Sequence, residues 1–471
     1  MFIGRKKELA SLEELYKKQG FAMTVIYGRR RIGKSTLIKE FIRDKRAVFY
    51  TASKVGNERN VQLFSEQLVS VMNPAASGAE FPSLEKALDF ITNNLSDKKL
   101  IIAIDELPYW AEKNEGLLSV LQKYVDTEWQ DKNLMLILCG SSLSFMAKKV
   151  LSEKSPIFGR RDSQIKLEAF DYKEAALFCP KWTYEEKAIC YGITGGVAKY
   201  LAMIDTNSSI DENIKRLFFS TDGYLFDEPR NLLIQEFSDT VLINNVIEQV
   251  ASGENTLNII SAKVRESESA VLYSLERLIE VGIVERRKCI LEENNRKKTQ
   301  YVIKDTMFKF WYAFVPGAQS IIELGKGDIY YDKFVKPKIH SFMGSVFEDM
   351  CRRYTLENGA IGTYECFINR VGNWWGMESI IKDSGKYSQA ADVDVVGISD
   401  AEKKAVIGEC KFRNEKIDKE VYETLLRRAH ALPSGYRIVK YLLFSLAGYT
   451  EWYESLNDSA LIKLTLKDLY E

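Results

Sequence analysis

The sequence predicts an α/β protein whose first third is a parallel sheet covered by helices. Four apolar, β-rich runs alternate with helical or loop patterns along residues 20–142: FAMTVIYG, AVFYTA, KKLIIAIDE and NLMLILCGSS. This alternation is typical of parallel strands joined by crossover helices. Length is the second observation, because 471 residues exceed what one hydrophobic core usually organises and predict about two to four domains.

The pattern changes three times beyond this first sheet. Residues 168–238 are mostly helical and predict a helical lid. Residues 239–312 give three amphipathic helical stretches and then two strand-like runs around a polar turn, which is the order of a winged helix. After a connector around GAQSIIELGKGD, residues 325–471 predict a last α/β domain. The sheet domain is therefore expected to span residues 1–167.

Charge and composition limit the class of protein. The 66 basic residues balance 66 acidic ones, so any contact with nucleic acid must depend on a local patch. The seven cysteines form no CxxC pair and no metal-ligand spacing with histidine, which indicates reduced core thiols. No apolar run approaches the roughly 20 residues of a membrane span, and the amino terminus lacks a signal-peptide pattern. We therefore expect a cytoplasmic protein with no membrane contact.

A glycine-rich turn follows the first strand-like run. The segment GRRRIGKST fits the pattern GxxxxGK[ST], with Gly28, Gly33, Lys34 and Ser35 in the required places. In such a loop, backbone N–H groups hold phosphate oxygens, the lysine reaches the β and γ phosphates, and the hydroxyl binds Mg²⁺. The segment therefore predicts a P-loop that binds ATP with Mg²⁺. The residues expected to border the nucleotide also include Arg31, Ile32 and Thr36.

The run IIAIDE predicts the second half of the nucleotide site. Asp105 ends an apolar strand, where it can hold hydrated magnesium, and Glu106 is placed to polarise a water toward the γ-phosphate. The next run ends in Ser141 and Ser142, and either hydroxyl is a candidate sensor of the γ-phosphate. These residues predict an ATPase that hydrolyses ATP to ADP and phosphate. The loop arginines Arg29 to Arg31 either contact phosphates or nucleic acid, or are solvated or paired with local acids.

Several motifs in one order carry a family resemblance. FIGRKKEL, the P-loop, IDELPYW, CGSSLSFM, SPIFGRR and GGVAKYL resemble the archaeal-type ATPases of the AAA+ and STAND superfamily. The resemblance implies a P-loop NTPase fold of the AAA+ kind. It also implies that Arg160 or Arg161 contacts the γ-phosphate, in cis or from a neighbouring chain. The residues implied to lie near the adenine are Ile3, Gly4 and Arg5. Ala198 stands where the family often has proline after its glycine pair.

A second set of candidate residues lies toward the carboxyl end. ADVDVVGI and AVIGECKF alternate as strands joined by the polar turn SDAEKK, so they predict a hairpin. Period-2 alternation places Asp392 with Asp394 on one face of the first strand, and Glu409 with Lys411 on one face of the second. Acids on neighbouring strands can hold a divalent metal against a scissile phosphate, while a lysine orients or deprotonates the attacking water. Asp394, Glu409 and Lys411 are therefore candidate catalytic residues.

The hairpin, together with the helix SFMGSVFEDMCRRY before it, resembles the PD-(D/E)xK nuclease fold and the nuclease-like domain fused to archaeal-type ATPases. That resemblance implies a restriction-endonuclease-like α/β domain with Glu348, Asp394 and Glu409 as metal ligands. Val393 stands where the family usually has proline. The opposing interpretation is a solvated hairpin face, although the charges of GECK on an apolar strand then need other partners.

The winged helix offers weaker signals. Its third helix carries three glutamates against one arginine, which is poor chemistry for a phosphate-lined groove. The basic turn of Arg296, Lys297 and Lys298 is a better candidate for DNA contact, and a packing adaptor is the other interpretation. His340 and His430 are interpreted as structural or surface residues. Trp374 and Trp375 either fill the core or edge of the terminal domain or stack on a base.

The leading hypothesis is an ATP-dependent switch coupled to a metal-dependent, DNA-directed nuclease-like domain. The alternative is a STAND-type signalling ATPase whose last domain is a non-catalytic module that binds a protein or nucleic-acid partner. A third hypothesis, a remodelling ring, predicts nucleotide-dependent oligomers, but the sequence has no recognisable pore loop. The DNA substrate, the trigger and the oligomeric state do not follow from the sequence.

Overall fold

The computed structural model describes residues 2–76, 78–237, 239–382, 385–433 and 435–471, apart from the side chains at 296, 381, 382, 385 and 386. Two compact units are present. The first comprises Met1–Phe170 with Val197–Met203, and the second comprises Asp171–Gly196 with Ile204–Glu471. The chain therefore passes between the units at three points. No helix of the described residues is long and apolar enough to cross a membrane.

The strands are β1 Ala22–Tyr27, β2 Ala47–Thr51, β3 Leu100–Asp105, β4 Leu134–Gly140, β5 Ser163–Lys166, β6 Val284–Lys288, β7 Thr299–Ile303, β8 Arg370–Lys382, β9 Gly385–Ser399, β10 Lys404–Lys411, β11 Arg437–Ser445 and β12 Leu461–Thr465.

The helices of the first half of the chain are α1 Lys6–Lys17, α2 Lys34–Ile42, α3 Asn57–Met72, α4 Leu84–Asn93, α5 Leu107–Ala111, α6 Leu117–Thr127, α7 Leu143–Phe145, α8 Tyr172–Ala176, α9 Tyr184–Thr194, α10 Ala198–Leu201, α11 Ile210–Phe218 and α12 Glu228–Glu236. The later helices are α13 Val241–Ala251, α14 Leu257–Val264, α15 Glu268–Glu280, α16 Thr306–Phe314, α17 Gln319–Glu323, α18 Gly327–Tyr330, α19 Ile339–Gly359, α20 Lys419–Ala429, α21 Trp452–Ser455 and α22 Leu466–Tyr470.

The first unit contains a parallel five-stranded sheet in the order β2-β3-β4-β1-β5. Every residue of β3 and β4 is buried, because helices cover both faces of the sheet. Trp110 and Trp129 lie in the core on one face, while Leu37 and Phe41 of α2 lie in the core on the other. The predicted parallel P-loop NTPase fold is confirmed. The short edge strand β5 is an addition that the sequence patterns did not predict.

The second unit includes the helices and strands expected of a winged helix. α13, α14 and α15 precede the antiparallel ribbon of β6 and β7, in which Val284 pairs with Ile303. The turn of this ribbon packs on strand β8: the Ile290 N–H donates to the Asn373 carbonyl at 3.0 Å, and Lys298 Nζ donates to the Trp375 carbonyl at 2.7 Å. Lys298 is therefore engaged within the protein, and the predicted contribution of the Arg296 side chain lies outside the described residues.

The same unit ends in a mixed sheet in the order β12-β11-β10-β9-β8. β8, β9 and β10 are antiparallel neighbours, whereas β10, β11 and β12 run parallel. The predicted hairpin is confirmed: Ser399 pairs with Lys404 beside the turn, and Val395 pairs with Gly408 further along. The segment expected to be a connector is helical, since it forms α17 and α18.

Candidate functional site

The glycine-rich loop joins the end of β1 to the start of α2. Gly33 adopts φ of 94° at the helix N-terminus, and Arg31 adopts φ of 70°, so the loop turns through left-handed backbone. A Cβ on Gly28 would lie 2.3 Å from the Leu167 carbonyl oxygen at the end of β5. Only glycine therefore lets the chain leave the sheet at this point. The turn directs the N-terminus of α2 toward the loop, as phosphate binding requires.

Lys34 and Ser35 begin α2 and lie beside the end of β3. Lys34 Nζ donates to the carbonyls of Gly28 and Arg29, each at 2.9 Å. Burial lowers the pKa of this lysine, so an anion in the loop would relieve an unfavourable desolvation. Ser35 Oγ donates to Asp105 Oδ2 at 2.5 Å. The hydroxyl and carboxylate predicted to share a magnesium ion are thus brought together.

Glu106 follows Asp105 at the carboxyl edge of the sheet. Its backbone is left-handed, with φ of 50°, and its N–H donates to Asp105 Oδ1 at 3.0 Å. Ser141, at the tip of β4, donates from Oγ to Glu106 Oε2 at 2.6 Å. Ser142 instead caps α7 by accepting from the Phe145 N–H at 3.4 Å. Of the two candidate sensors, Ser141 is therefore the one in contact with the predicted catalytic carboxylate.

The amino-terminal residues lie against the loop from another side. Arg5 is buried with φ of 59°, and its Nη2 donates to the carbonyls of Ile32 at 3.2 Å and Glu168 at 2.6 Å. Its guanidinium also lies 4.0 Å from the centroid of the Phe170 ring. Ile3 and Gly4 precede it and are half-buried, whereas Thr36 on α2 is exposed. The FIGR segment thus supports the P-loop backbone, and its place near adenine stays a prediction.

Helix α10 belongs to the first unit and contacts the P-loop. The Lys199 N–H donates to the Arg31 carbonyl at 3.1 Å. A Cβ built on Gly33 would lie 3.4 Å from the Ala198 Cβ, so α10 packs directly over the P-loop. Of the segment GGVAKYL, which carried part of the family resemblance, residues 197–201 are therefore the part that lies in the first unit and packs on the P-loop.

Arg160 lies near the amino ends of the strands, away from the P-loop at their carboxyl ends. Its Nε and Nη2 donate to the two carboxylate oxygens of Asp126 at 2.6 and 2.8 Å. The chain then enters β5 beside the start of β1, where the Asp162 N–H donates to the Met23 carbonyl at 2.8 Å. Because the P-loop follows the other end of β1, the structure does not bring Arg160 or Arg161 to the nucleotide site of the same chain. Contact with a neighbouring chain's nucleotide stays a prediction.

The carboxyl-terminal candidates meet on the mixed sheet. Asp394 is 9 % exposed and Glu409 is 7 % exposed, whereas the Asp392 side chain is 62 % exposed. The Cys410 N–H donates to Asp394 Oδ2 at 2.8 Å. Burial, assisted by the charges of Glu409 and Glu348, raises the pKa of Asp394 to about 8. Asp394 therefore lies within electrostatic reach of both Glu409 and Glu348.

Basic side chains occupy the space around these acids. Lys411 Nζ lies 2.6 Å from Glu409 Oε1, and Arg428 Nη1 lies 3.5 Å from Glu409 Oε2. Although burial opposes the charge of Lys411, Glu409 raises the pKa of this lysine. Among the residues that the structure describes, no three His, Cys, Asp or Glu side chains form a ready metal-binding group. A cation here would therefore have at most two of these carboxylates as ligands, so the structure does not support the predicted three-acid set with Glu348.

Glu348 is held by an ion-pair network on α19. Arg352 pairs with Glu348 at 3.4 Å and with Asp349 at 2.5 Å, and its Nη1 donates to the Asp394 carbonyl at 2.7 Å. Arg287 on β6 extends the network to Asp349 at 3.2 Å. Arg352 and Arg428 were not predicted as site residues. The spacing of Glu348 and Arg352, four residues apart on one helix, was a usable signal.

Comparison with known proteins supports an ATPase domain in the amino-terminal part of the chain. Residues 2–204 match a family described as an ATPase domain predominantly from Archaea, and residues 311–422 match a family of archaeal and bacterial proteins of unknown function. The uncharacterized protein MJECL04 of Methanocaldococcus jannaschii is 29 % identical over 433 residues, covering 91 % of this chain and 92 % of its own.

Two further likenesses concern a short stretch of the sequence and the fold. The uncharacterized ATP-binding protein MJ0423 of the same organism is 44 % identical over 46 residues, covering 10 % of this chain and 78 % of its own. The Walker-type ATPase PABY2304 of Pyrococcus abyssi superposes with a TM-score of 0.50 at 18 % identity, covering 66 % of this chain and 96 % of its own. Together with the P-loop geometry, these matches identify the chain as an ATPase whose residues 2–204 form a nucleotide-binding domain of the predominantly archaeal ATPase family.

Proposed function

We propose that this chain is a Mg²⁺-dependent ATPase switch whose nucleotide state governs a metal-dependent, DNA-directed nuclease-like site. The observation that carries the proposal is that one chain has two candidate metal sites, each with a carboxylate near a lysine. One is the Ser35 and Asp105 pair beside the P-loop lysine. The other is the buried pair of Asp394 and Glu409 beside Lys411.

The nucleotide site fits magnesium. The contact between Ser35 Oγ and Asp105 Oδ2 at 2.5 Å is the pair that a hydrated Mg²⁺ would separate and share. Magnesium there would neutralise charge on the β and γ phosphate oxygens. Lys34 would bind the same phosphates from the loop, and Glu106 would polarise the attacking water. Ser141 would hold the Glu106 carboxylate in place through their hydrogen bond of 2.6 Å.

The second site fits a divalent cation bound through two carboxylates. Magnesium commonly uses one or two protein carboxylates and completes its coordination with water and substrate phosphate. A cation next to Asp394 would favour ionisation of a carboxyl whose pKa burial raises to about 8. Bound metal would polarise the scissile phosphate, and Lys411 would then be free to orient the attacking water.

Helix α10 is the proposed mechanical connection between nucleotide state and the rest of the chain. It contacts the P-loop through the hydrogen bond from Lys199 to Arg31, yet α9 before it and α11 after it belong to the second unit. A change in the P-loop on ATP binding or hydrolysis would therefore pull on both chain connections. Such a link would let ATP bind one arrangement of the chain more tightly than another, which a switch requires.

The nucleotide site is tested by ATP hydrolysis and binding. Lys34→Ala is expected to remove detectable nucleotide binding, because it deletes the phosphate ligand. Glu106→Gln is expected to retain ATP binding but lower the hydrolysis rate by about 100-fold or more, since water activation is lost. Arg43→Ala, an exposed arginine just beyond α2, serves as the control. Unchanged hydrolysis in Glu106→Gln would remove the assigned role of that residue.

The nuclease-like site is tested by incubating supercoiled plasmid with the full chain, ATP and either Mg²⁺ or Mn²⁺. Asp394→Asn should abolish cutting, whereas Asp392→Asn, on the same strand but 62 % exposed, should retain it. Equal cutting by wild type and Asp394→Asn would point to a contaminating nuclease. Absence of cutting by the wild type would leave the ATPase and remove the nuclease.

The ion pair between Lys411 and Glu409 favours a second candidate function. With Arg428 also near, this acid has basic partners without a metal, as a non-catalytic binding module would need. In that case the protein would be a STAND-type signalling ATPase. Calorimetric titration with Mn²⁺ separates the two, because a binding module has no reason to take up Mn²⁺ in a manner that Asp394→Asn abolishes.

A further inference from the structure

A pocket of about 290 Å³ lies between β10 and α20, beside the candidate metal acids. Its lining includes Glu409, Lys411, Arg413, Asp418, Thr424 and Arg428. This volume is just below the roughly 300 to 1,000 Å³ of small-ligand sites, so the pocket suits a group the size of one nucleotide unit or less. Its position next to Glu409 makes it a continuation of the candidate site rather than a separate one.

Arg413 is the unusual member of this lining. It is half-buried, and its Nε is buried with no hydrogen-bond partner among the described residues. The described part of the chain gives its guanidinium no carboxylate within ion-pair distance either. A buried Nε–H without a partner is unfavourable, because it has lost its hydrogen bond to water and gained no other. An arginine that forms planar, paired hydrogen bonds with phosphate oxygens would lose this penalty on binding an anion.

The other charged side chains of the pocket that have partners are engaged fully or in part. Glu409 pairs with Lys411 at 2.6 Å, and the Asp418 side chain caps α20 by accepting from the Val421 N–H at 3.3 Å. Arg428 Nη1 donates to the Asp392 carbonyl at 2.7 Å, but its Nε is buried without a partner in the described residues. The exposed Glu420 lies on the first turn of α20. The hydrogen-bond donors of the pocket that lack a partner among the described residues are therefore those of Arg413 and Arg428, and both side chains are positively charged.

We propose that this pocket is a subsite for one phosphate group of a nucleic-acid strand, bound by Arg413 and Arg428 next to the acid pair. The proposal rests on the proposed function, since the pocket would hold the strand on which the candidate nuclease-like site acts. The phosphate is either an internal phosphodiester or a terminal 5′-phosphate, and both present the same oxygens. Arg413 and Arg428 are binding residues here and take no part in bond cleavage.

The test is binding of a labelled single-stranded oligonucleotide to the full chain, with Ca²⁺ replacing Mg²⁺ and with or without a 5′-phosphate. Arg413→Ala should weaken binding about tenfold, as expected for one charge-assisted contact. It should also reduce the slope of log K against log salt by about 0.7, the effect of one lost phosphate contact. Arg413→Lys should keep the slope but recover only part of the affinity.

Arg437→Ala is the matched control. This exposed arginine begins β11, where it lies opposite Lys404 in the strand register, at the end of β10 away from Lys411. It should leave both affinity and slope unchanged, and thermal unfolding should show that each variant is folded. A loss seen with both oligonucleotides assigns an internal phosphodiester; a loss confined to the phosphorylated one assigns a 5′-end site.

The subsite is overturned if Arg413→Ala and Arg437→Ala behave alike with both oligonucleotides, or if the wild type binds neither. Plasmid cutting that is abolished by Asp394→Asn but unaffected by Arg413→Ala would keep the proposed function and remove the subsite. Arg413-dependent binding without any cutting would keep the subsite and remove the nuclease.

Discussion

The side chain of Asp394 lies where an ionised carboxylate is unfavourable. It is buried, it lies near Glu409 and Glu348, and the amide of Cys410 is the hydrogen-bond donor to one of its oxygens. Its pKa of about 8 stands well above the roughly 3.9 of an unfolded chain. The folded protein therefore binds the proton more tightly than the unfolded protein does. Functional sites commonly retain such unfavourable groups because a ligand later satisfies them.

This difference predicts a pH dependence of stability without metal. The stabilisation from protonated Asp394 is fully present below about pH 4 and is lost as the pH rises through about 8. The slope for one proton is at most about 1.4 kcal/mol per pH unit. Asp394→Asn cannot titrate, so its stability should exceed that of the wild type by an amount that grows with pH.

Denaturant unfolding in EDTA at several pH values between 5 and 9 measures this difference. Asp392→Asn is the control and should follow the wild-type curve, because that side chain is exposed. Parallel curves for wild type and Asp394→Asn would contradict the assigned environment of Asp394. Added Mn²⁺ should stabilise the wild type and have no such effect on Asp394→Asn.

At the scale of elements, α19 is fixed to the mixed sheet by Arg352. This guanidinium is 11 % exposed and joins Glu348, Asp349 and the Asp394 carbonyl. Arg353, the next residue, is 51 % exposed and pairs with Asp171 and Glu357. Two adjacent arginines therefore make the same type of contact in different surroundings.

Arg352→Ala should lower the free energy of unfolding by about 2 kcal/mol, because two carboxylates and a backbone carbonyl lose their partner. Arg353→Ala should lower it by less than about 1 kcal/mol, as surface ion pairs contribute little. Chemical denaturation of the two variants beside the wild type measures both values. A larger loss in Arg353→Ala would show that burial of Arg352 is not what stabilises α19.

The same elements show which features a sequence can predict. The P-loop, the Asp105 strand and the carboxyl-terminal hairpin were predicted because a glycine pattern or a period-2 alternation marks them locally. β5 was missed since four residues of alternating exposure carry too little signal. Arg413 and Arg428 were missed because their relation to Glu409 depends on how α20 packs on β10, which no local spacing encodes.

Arg160 illustrates the same limit for the nucleotide site. The family resemblance implied an arginine near the γ-phosphate. Whether that arginine lies at the carboxyl ends or the amino ends of the strands depends on the course of the chain into β5. The structure places it beside Asp126 at the edge where β1 begins. Only a neighbouring chain could therefore present its nucleotide to this arginine, and the sequence alone does not fix that assembly.

At the scale of the whole molecule, a switch requires that nucleotide and nucleic acid influence each other's binding. Linkage makes this influence reciprocal: if a non-hydrolysable ATP analogue changes the Kd for an oligonucleotide by some factor, the oligonucleotide changes the Kd for the analogue by the same factor. Coupling free energies of about 1 to 3 kcal/mol correspond to factors of about 5 to 150. Both Kd values are measurable on the full chain by fluorescence and calorimetry.

Helix α10 is the place to interrupt this coupling, because its Lys199 amide is the donor to the P-loop carbonyl of Arg31. Lys199→Pro removes that N–H in the first helical turn, where proline is tolerated, while Lys199→Ala keeps the amide and deletes only the side chain. We expect Lys199→Pro to bring the coupling factor toward one in both directions, and Lys199→Ala to preserve it. A factor of one in the wild type would mean that the ATPase and the carboxyl-terminal site act independently, and an unchanged factor in Lys199→Pro would place the connection elsewhere.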